Sequence, residues 1–182
     1  DPPTTYIYTL TLHDALPISG VIHAFDAATG GRVWTHTIQV SGDLRDATFG
    51  GGATFANNVV YATSGTGDVV ALNAETGTEI WRKKPAGPLR GSPTVAFNSV
   101  YVMTQDNQIH ALSTATGEPV WQDAASVGQS GVFGVAAPAA GQGSVIAGYS
   151  SGELVTYRYE NGRVLWQDAL ARTSISTASR KP

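Results

Sequence analysis

Histidines are the residues of this 182-residue chain best suited to metal binding or acid–base catalysis. His23 and His110 stand eleven residues before a tryptophan, where two other copies of the same pattern have Val70 and Val155. A position that histidine shares with valine indicates a strand residue, because valine neither ligates a metal nor titrates. His36 stands alone, and no His-x-x-x-His or mixed His and carboxylate cluster is present in the sequence. We therefore predict no metal site.

Carboxylates and nucleophiles show no catalytic pattern either. Glu75, Glu118 and Glu160 fall on predicted turns, with no partner at a fixed spacing that would shift a pKa for acid–base catalysis. The chain has no cysteine, which removes thiolate ligands, disulfides and cysteine nucleophiles. The glycine-rich segments 50–52 and 64–67 lack the Lys-Ser/Thr pair of a phosphate-binding loop. The sequence thus predicts no catalytic and no cofactor-binding residues.

Composition is typical of short strands joined by tight turns. Charged residues make up 14% of the chain, against about 25% in an average soluble domain. The 21 glycines supply the positive φ angles that tight turns require. A net charge of −3 argues against a nucleic-acid partner, which would need a basic surface. No apolar run is long enough for a transmembrane helix.

Four tryptophans mark an internal repeat. They are Trp34, Trp81, Trp121 and Trp166, spaced 47, 40 and 45 residues apart, within the range of about 40 to 50 residues typical of propeller blades. A glycine stands four residues before each tryptophan: Gly30, Gly77, Gly117 and Gly162. A small residue stands ten before and a turn residue fourteen before. These columns predict a strand, a turn with a left-handed glycine, and a returning strand that carries the tryptophan.

Two further strands precede each complete hairpin. The second-strand segments are 58–63, 98–104 and 143–149, and the first-strand segments are 52–55, 92–96 and 135–138. The sequence therefore predicts an all-β fold, a partial β-propeller of four-stranded antiparallel blades. It contains about three complete blades and half of another, which is about half of a larger ring.

The beginning of the chain does not fit the repeat. Twenty residues before Trp34 stands Asp14, close to Pro17, and a charge and a proline are unfavourable inside a buried strand. The segment from Thr9 to Ile18, which includes His13, resembles the conceptual translation of a common sequencing-adapter oligonucleotide. We therefore expect residues 1 to about 19 to be non-native and residues 20–182 to form the partial propeller. On this interpretation the native start, with any signal peptide or lipid anchor, is missing.

The pattern Ala-x-(Asp/Asn/Ser)-x-x-Thr-Gly-x-x-x-Trp connects the chain with known families. It occupies 24–34, 71–81 and 111–121, and more loosely 156–166, and it resembles the tryptophan-docking repeat of the quinoprotein-like propellers. The longer runs 89–95, 105–112 and 166–172 resemble the BamB family of outer-membrane protein assembly factors. That family consists of eight-bladed, non-enzymatic scaffold lipoproteins.

The BamB resemblance implies a scaffold role without enzymatic activity or cofactor. It implies protein partners in the outer-membrane β-barrel assembly machinery, above all its barrel subunit, and a lipid anchor at the periplasmic face of the outer membrane. Partner binding in the family relies on a Leu-x-Leu-Arg loop, expected near 129–133, and on a Leu-Ser-Asp-x-Asp segment, expected beyond Ser176. This sequence has neither motif, so those sites are not carried over.

The apolar, glycine-rich loop 127–135 is the main feature outside the repeat. Its Val132 and Phe133 are the candidate partner-binding residues, because aromatic side chains dominate binding energy at interfaces. A second role is open for Phe133, which could fill the core where two blades meet. Two other functions also stay open, a PQQ-dependent dehydrogenase propeller and a propeller receptor or sensor domain. A dehydrogenase would require a quinone cofactor, a Ca²⁺ site and a catalytic aspartate.

Overall fold

The computed structural model describes residues 8–11, 20–38, 51–89, 91–125 and 136–169. All regular secondary structure in these residues is β-strand, arranged in one three-stranded and three four-stranded antiparallel sheets. This confirms the predicted all-β class and the four-stranded blades. We number the sheets as blades 1 to 4 in chain order.

Blade 1 contains β1 (Tyr8–Thr11), β2 (Val21–Asp26) and β3 (Arg32–Thr37). Blade 2 contains β4 (Ala53–Ala56), β5 (Val59–Thr63), β6 (Val69–Asn73) and β7 (Glu79–Lys83). Blade 3 contains β8 (Thr94–Ala96), β9 (Ser99–Met103), β10 (Gln108–Ser113) and β11 (Pro119–Ala124). Blade 4 contains β12 (Ala139–Gly141), β13 (Ser144–Gly148), β14 (Glu153–Arg158) and β15 (Val164–Ala169). Each sheet is ordered as its strands follow in the chain.

Strand pairing explains the columns of the repeat. Each tryptophan of an outer strand lies opposite a small residue of the neighbouring strand: Ala24 opposite Trp34, Ala71 opposite Trp81, Ala111 opposite Trp121, and Thr156 opposite Trp166. The register shifts directly after this pair in all four blades, which is a β-bulge that adds local twist. The small residue leaves room for the indole to lie over its own sheet.

The turn columns have positive φ angles, as left-handed turns require. The residues fourteen before each tryptophan are Gly20, Gly67, Asn107 and Gly152, with φ of 55°, 96°, 61° and 84°. Gly67 has a second constraint, since a Cβ there would lie 2.6 Å from the carbonyl oxygen of Ala86. The turns between the first and second strands of blades 2, 3 and 4 also contain residues with positive φ. In one of these turns Phe97 has a φ of 51°.

The hydrophobic core lies between blades. One cluster joins blades 1 and 2, a second joins blades 2 and 3, and a third joins blades 3 and 4. β9 is buried along its whole length, because its blade has a neighbour on each face. The outer strands bury little apart from the tryptophan. Each blade therefore depends on its neighbours for most of its burial.

In blades 2, 3 and 4 the first strand of one blade contacts the first strand of the next. The Thr54 hydroxyl donates to the carbonyl oxygen of Pro93, and the Thr94 hydroxyl donates to that of Pro138. Proline has no backbone N–H to donate, and in both places its carbonyl oxygen accepts a hydrogen bond from the threonine hydroxyl. The inner strands are thus linked by side-chain hydrogen bonds from blade to blade.

One predicted strand was misplaced. The segment 135–138 was expected to form the innermost strand of blade 4, but that strand is β12 (Ala139–Gly141). A two-residue turn at Gln142 and Gly143, with φ of 49° and 75°, joins β12 directly to β13. Because such a tight hairpin fixes the register, the strand must end at Gly141.

The beginning of the chain also differs in detail. β1 pairs with β2, and Leu10 lies opposite Ala24, where the repeat spacing would have placed Asp14. The connection between these two strands is four residues longer than the one between β5 and β6. The pairing does not test whether residues 1–19 are native, which stays a prediction.

We predict that Thr94→Val weakens the attachment of blade 3 to blade 4. The substitution keeps the side-chain shape and removes the hydrogen bond to Pro138, so it should lower the free energy of unfolding by about 1 kcal/mol. Denaturant unfolding measures the change. Thr37→Val, at an exposed position of β3, is the control and should change stability by less than about 0.5 kcal/mol. Equal effects would contradict the role of Thr94.

Candidate protein-interaction surface

Adjacent blades are fastened by one repeated contact, which we call the docking contact. The indole Nε1–H of Trp34 donates to the carbonyl oxygen of Ala74 in the next blade, at 2.8 Å. Trp81 does the same to Thr114, at 2.9 Å, and Trp121 to Tyr159, at 2.7 Å. These three indoles are 8–9% exposed. Each tryptophan therefore combines a large buried area with a satisfied polar atom.

The glycine of the docking contact makes room for the indole. A Cβ built on Gly77 would lie 2.6 Å from Cδ2 of Trp34, and one on Gly117 would lie 2.7 Å from Cε3 of Trp81. Gly162 has the same relation to Trp121. All three glycines have φ near 70°, so both the backbone conformation and the ring contact favour glycine. The glycine and the tryptophan of one repeat therefore belong to two different docking contacts, because the glycine packs against the tryptophan of the preceding blade.

The turns before Gly30 and Gly77 are held by their own polar side chains. The Asp26 carboxylate accepts hydrogen bonds from the backbone N–H groups of Ala28 and Thr29. Asn73 makes the equivalent bonds in blade 2. The hydrogen bonds from the Thr29 backbone and hydroxyl lower the pKa of Asp26. The turn of blade 2 presents the Ala74 carbonyl to which the Trp34 indole donates.

His23, His36 and His110, the histidines among the described residues, occupy structural positions. His110 is 3% exposed, its Nε2 has no hydrogen-bond partner, and it faces blade 2 from β10. Burial lowers the pKa of His110, more than Asp106 and Gln122 raise it. His23 contacts the Thr35 hydroxyl at 3.0 Å, and His36 lies 3.5 Å from the Glu79 carboxylate. Within the described ranges, no group of three or more His, Cys, Asp and Glu side chains could hold a metal ion.

The segment 64–68 is a self-contained turn. The hydroxyls of Ser64 and Thr66 both donate to the Asp68 carboxylate, at 3.2 and 2.8 Å. A carboxylate at the centre of this turn would repel a phosphate. The structure thus supports the interpretation of these glycines as turn residues.

A buried tyrosine pair between blades 3 and 4 was not found from the sequence. The hydroxyls of Tyr149 and Tyr157 lie 2.6 Å apart. Burial raises the pKa of Tyr149 to about 12, and burial, Tyr149 and Asp123 raise that of Tyr157. Both phenols therefore stay protonated and act as hydrogen-bonding groups of the core. The repeat did not indicate this pair because the two tyrosines occupy different columns.

An apolar stripe on the outer strands is the main exposed feature of the described residues. The residue before each tryptophan is apolar and about half exposed: Val33 at 48%, Ile80 at 51%, Val120 at 48% and Leu165 at 45%. Among the described residues, the outer strands β3, β7, β11 and β15 end their sheets, so each has one edge without a partner strand there. Apolar side chains beside an open strand edge are a surface to which an extended segment can add as a further strand.

Charged pairs cross between blades along the same outer surface. Lys83 of blade 2 pairs with Glu118 of blade 3. Glu79 of blade 2 pairs with Arg82 at 2.7 Å and lies near His36 of blade 1. The hydrogen bond from Arg82 lowers the pKa of Glu79. Exposed pairs of this kind add little stability.

The candidate partner residues Val132 and Phe133 lie outside the described residues, as does the segment beyond Ser176. The docking residues Trp34, Trp81, Trp121, Gly77, Gly117 and Gly162 meet in pairs across blade boundaries. Trp166 and Gly30 have no such partner within the described part of the chain: Trp166 is 47% exposed, and nothing lies within 4 Å of a Cβ built on Gly30.

This repeated blade geometry agrees with a family match along most of the chain. Residues 19–181 match the family model described as outer membrane protein assembly factor BamB. The chain belongs to this family. BamB of Xanthomonas campestris is 44% identical over 160 residues, and BamB of Escherichia coli K12 is 38% identical over 162 residues. These alignments cover 86% and 87% of this chain but 39% and 41% of the relatives, so the chain spans about two fifths of their length.

Quinoprotein dehydrogenases match a shorter part. Quinoprotein ethanol dehydrogenase of Pseudomonas aeruginosa is 38% identical over 66 residues, which is 35% of this chain and 10% of that enzyme.

Among solved structures, BamB from Moraxella catarrhalis superposes with a TM-score of 0.73 at 24% identity, covering 85% of this chain and 45% of that one. Quinohemoprotein alcohol dehydrogenase from Comamonas testosteroni gives 0.68 at 19% identity. These structural likenesses support the propeller fold.

The described part of this BamB-family chain contains no helix long and apolar enough to cross a membrane.

We predict that Trp81→Ala lowers the free energy of unfolding by about 3 to 5 kcal/mol, as is usual for a buried tryptophan. The loss has two causes, the cavity between blades 2 and 3 and the lost indole hydrogen bond to the carbonyl of Thr114. Denaturant unfolding followed by far-ultraviolet circular dichroism measures it. The control is Ile80→Ala on the same strand, 51% exposed, which should cost less than about 0.5 kcal/mol. Similar losses in both variants would show that docking does not hold the blades.

We predict that His110 makes the protein less stable in mild acid. Because burial lowers its pKa below 6.5 in the folded state, the unfolded chain binds a proton first. Stability should therefore be complete above pH 6.5 and should fall as the pH drops from 6.5 toward the folded-state pKa. His110→Val introduces the residue that blades 2 and 4 have at this position. It should reduce the acid sensitivity, measured as the melting temperature at several pH values. His23→Val is the control, and an unchanged pH profile in His110→Val would contradict the prediction.

Proposed function

We propose that this protein is a non-enzymatic scaffold of the outer-membrane β-barrel assembly machinery, acting at the periplasmic face of the outer membrane. The observation that carries the proposal is the BamB family match over residues 19–181. Its partners would be proteins of that machinery, above all the barrel subunit, bound through propeller loops.

The extent of the matches favours a scaffold over an enzyme. The BamB relatives align with 86–87% of this chain, whereas the quinoprotein dehydrogenases align with 35%. The shorter alignment is what a shared docking repeat alone would produce. The dehydrogenase propeller remains the second candidate because its identity over those 66 residues, 38%, is as high as that of the Escherichia coli BamB.

The geometry suits surface recognition. Docked tryptophans hold the blades as a rigid frame, and the polar side chains described above are engaged in turns, ion pairs or the core. What the outer surface offers a partner is an apolar stripe beside open strand edges, from Val33 to Leu165. Such a surface can bind an extended segment by main-chain hydrogen bonds, while loops between blades supply side-chain contacts.

We predict that the tagged protein co-purifies with the barrel subunit of the assembly machinery from a Gram-negative host. Val132 and Phe133 are the proposed contact residues, so Phe133→Ala should weaken the association about 30-fold, as for a typical interface anchor. Pull-down titration with purified barrel subunit measures the affinity. The matched control is Phe55→Ala, a phenylalanine that is 49% exposed in β4.

The outcomes separate the two candidate functions. Co-purification that weakens with Phe133→Ala and persists with Phe55→Ala supports the scaffold and the loop. Co-purification that is indifferent to both variants supports the scaffold but overturns the loop. No association, together with quinone-dependent dye reduction by the protein, would overturn the scaffold in favour of a dehydrogenase.

A further inference from the structure

Two aromatic residues depart from the repeat at the same blade boundary. Phe97 lies in the turn between β8 and β9, where the aligned turns have Asn57 and Gln142. Tyr159 lies in the turn between β14 and β15, where the aligned turns have alanine or threonine. The two ring centroids are 4.5 Å apart and the ring planes are inclined by 34°. Phe97 and Tyr159 therefore form one contact between blades 3 and 4, which we call the aromatic pair.

The aromatic pair lies on one rim of the blades. Because the strands of each blade are antiparallel and follow chain order, the turns between first and second strands share a rim with the turns between third and fourth strands. The Tyr159 N–H donates to the Gly143 carbonyl at 3.3 Å, so these two turns are in contact in blade 4. The connection from β11 to β12, which contains Val132 and Phe133, starts and ends at the opposite rim. A partner at the aromatic pair would thus approach the other rim.

Phe97 is an unfavourable residue for its backbone conformation. Its φ is 51°, in the left-handed region where bulky side chains are rare and asparagine is enriched. Burial does not compensate for this strain, since the side chain is 37% exposed. Blade 3 has a neighbouring blade on each face, so the exposure does not come from an open blade face. A strained and exposed aromatic residue is typical of a binding position.

A carboxylate lies beside the aromatic pair. The Glu160 carboxylate accepts a hydrogen bond from the Tyr159 phenol, and this bond raises the pKa of Tyr159. A phenol that donates to an anion has a more electron-rich ring, which attracts a cation more strongly. Arg158 and Arg163 lie on the same turn, but the ion pairs found among the described residues do not include Glu160. Its charge is therefore available to a cationic ligand.

We propose that the aromatic pair binds an arginine side chain of a partner protein, with the guanidinium over the exposed part of the Phe97 ring and paired with the Glu160 carboxylate. Arginine suits both groups, because its planar guanidinium stacks on aromatic rings and donates to carboxylates. The partner would present a basic segment to this rim. This site goes beyond the scaffold role and does not depend on the contact with the barrel subunit.

Titration of the 182-residue chain with a capped Gly-Gly-Arg-Gly-Gly peptide tests the proposal. Nuclear magnetic resonance follows the aromatic ring signals, and those of Phe97 and Tyr159 should shift on binding. The same peptide with citrulline keeps the shape of arginine and lacks its charge. It should bind at least about tenfold more weakly, because both the ring and the carboxylate attract the cation.

Two variants and a matched control locate the site. Phe97→Asn introduces the residue of the aligned turn in blade 2 and should weaken arginine binding about tenfold. It should leave the melting temperature within about 2 °C, because asparagine tolerates the positive φ. Glu160→Gln should weaken binding about fivefold. The control Glu75→Gln, in the same column of blade 2, changes a carboxylate that accepts from Asn58 and should leave binding unchanged.

Several outcomes would overturn the proposal. Equal binding of the arginine and citrulline peptides would exclude recognition of the charge. Ring signals of Phe97 and Tyr159 that do not shift, or an unchanged affinity in Phe97→Asn, would exclude the aromatic pair. A weaker affinity in Glu75→Gln, equal to that in Glu160→Gln, would show attraction to acidic turns in general. A larger fall in the melting temperature of Phe97→Asn would show that the pair serves only to fasten blades 3 and 4.

Discussion

The docking contact is the constraint on which the rest of the structure depends. A blade is a small twisted sheet with two apolar faces, and it buries them only against other blades. The indole supplies about 200 Å² of buried surface and a directed hydrogen bond that sets the angle between neighbours. One contact thus determines several columns of the repeat. A small residue lies opposite Trp81 in its own blade, and the next blade supplies a glycine and an accepting carbonyl oxygen.

This arrangement separates stability from recognition. The inner strands and the faces between blades carry the burial, the docked indoles and the threonine hydrogen bonds. The exposed positions of the outer strands carry little of this burial, and there the chain presents apolar side chains and exposed ion pairs such as Lys83 with Glu118. Family membership and this surface are the grounds for the scaffold role proposed above.

The fold could be predicted from the sequence because its columns repeat. Gly77 and Trp81 sit on one hairpin, so their spacing is visible, although the glycine in fact contacts Trp34 of the blade before. Contacts between residues in different columns left no such signal: the Tyr149–Tyr157 pair and the bond from Thr94 to Pro138 follow from packing in three dimensions. β12 was misplaced because alanine and proline carry no strand periodicity, and only the tight turn after it fixes its position. The half-exposure of Val33 depends on the outer position of its strand, which the spacing of the repeat does not give.

The central claim is that buried indole hydrogen bonds fasten the blades. Hydrogen exchange at the three indole N–H groups of Trp34, Trp81 and Trp121, resolved by nuclear magnetic resonance, tests it most directly. Groups that donate to carbonyls of the next blade and are 8–9% exposed should exchange far more slowly than a free indole, and opening should require separation of the blades. Exchange as fast as that of Trp166, whose side chain is 47% exposed, would contradict the account.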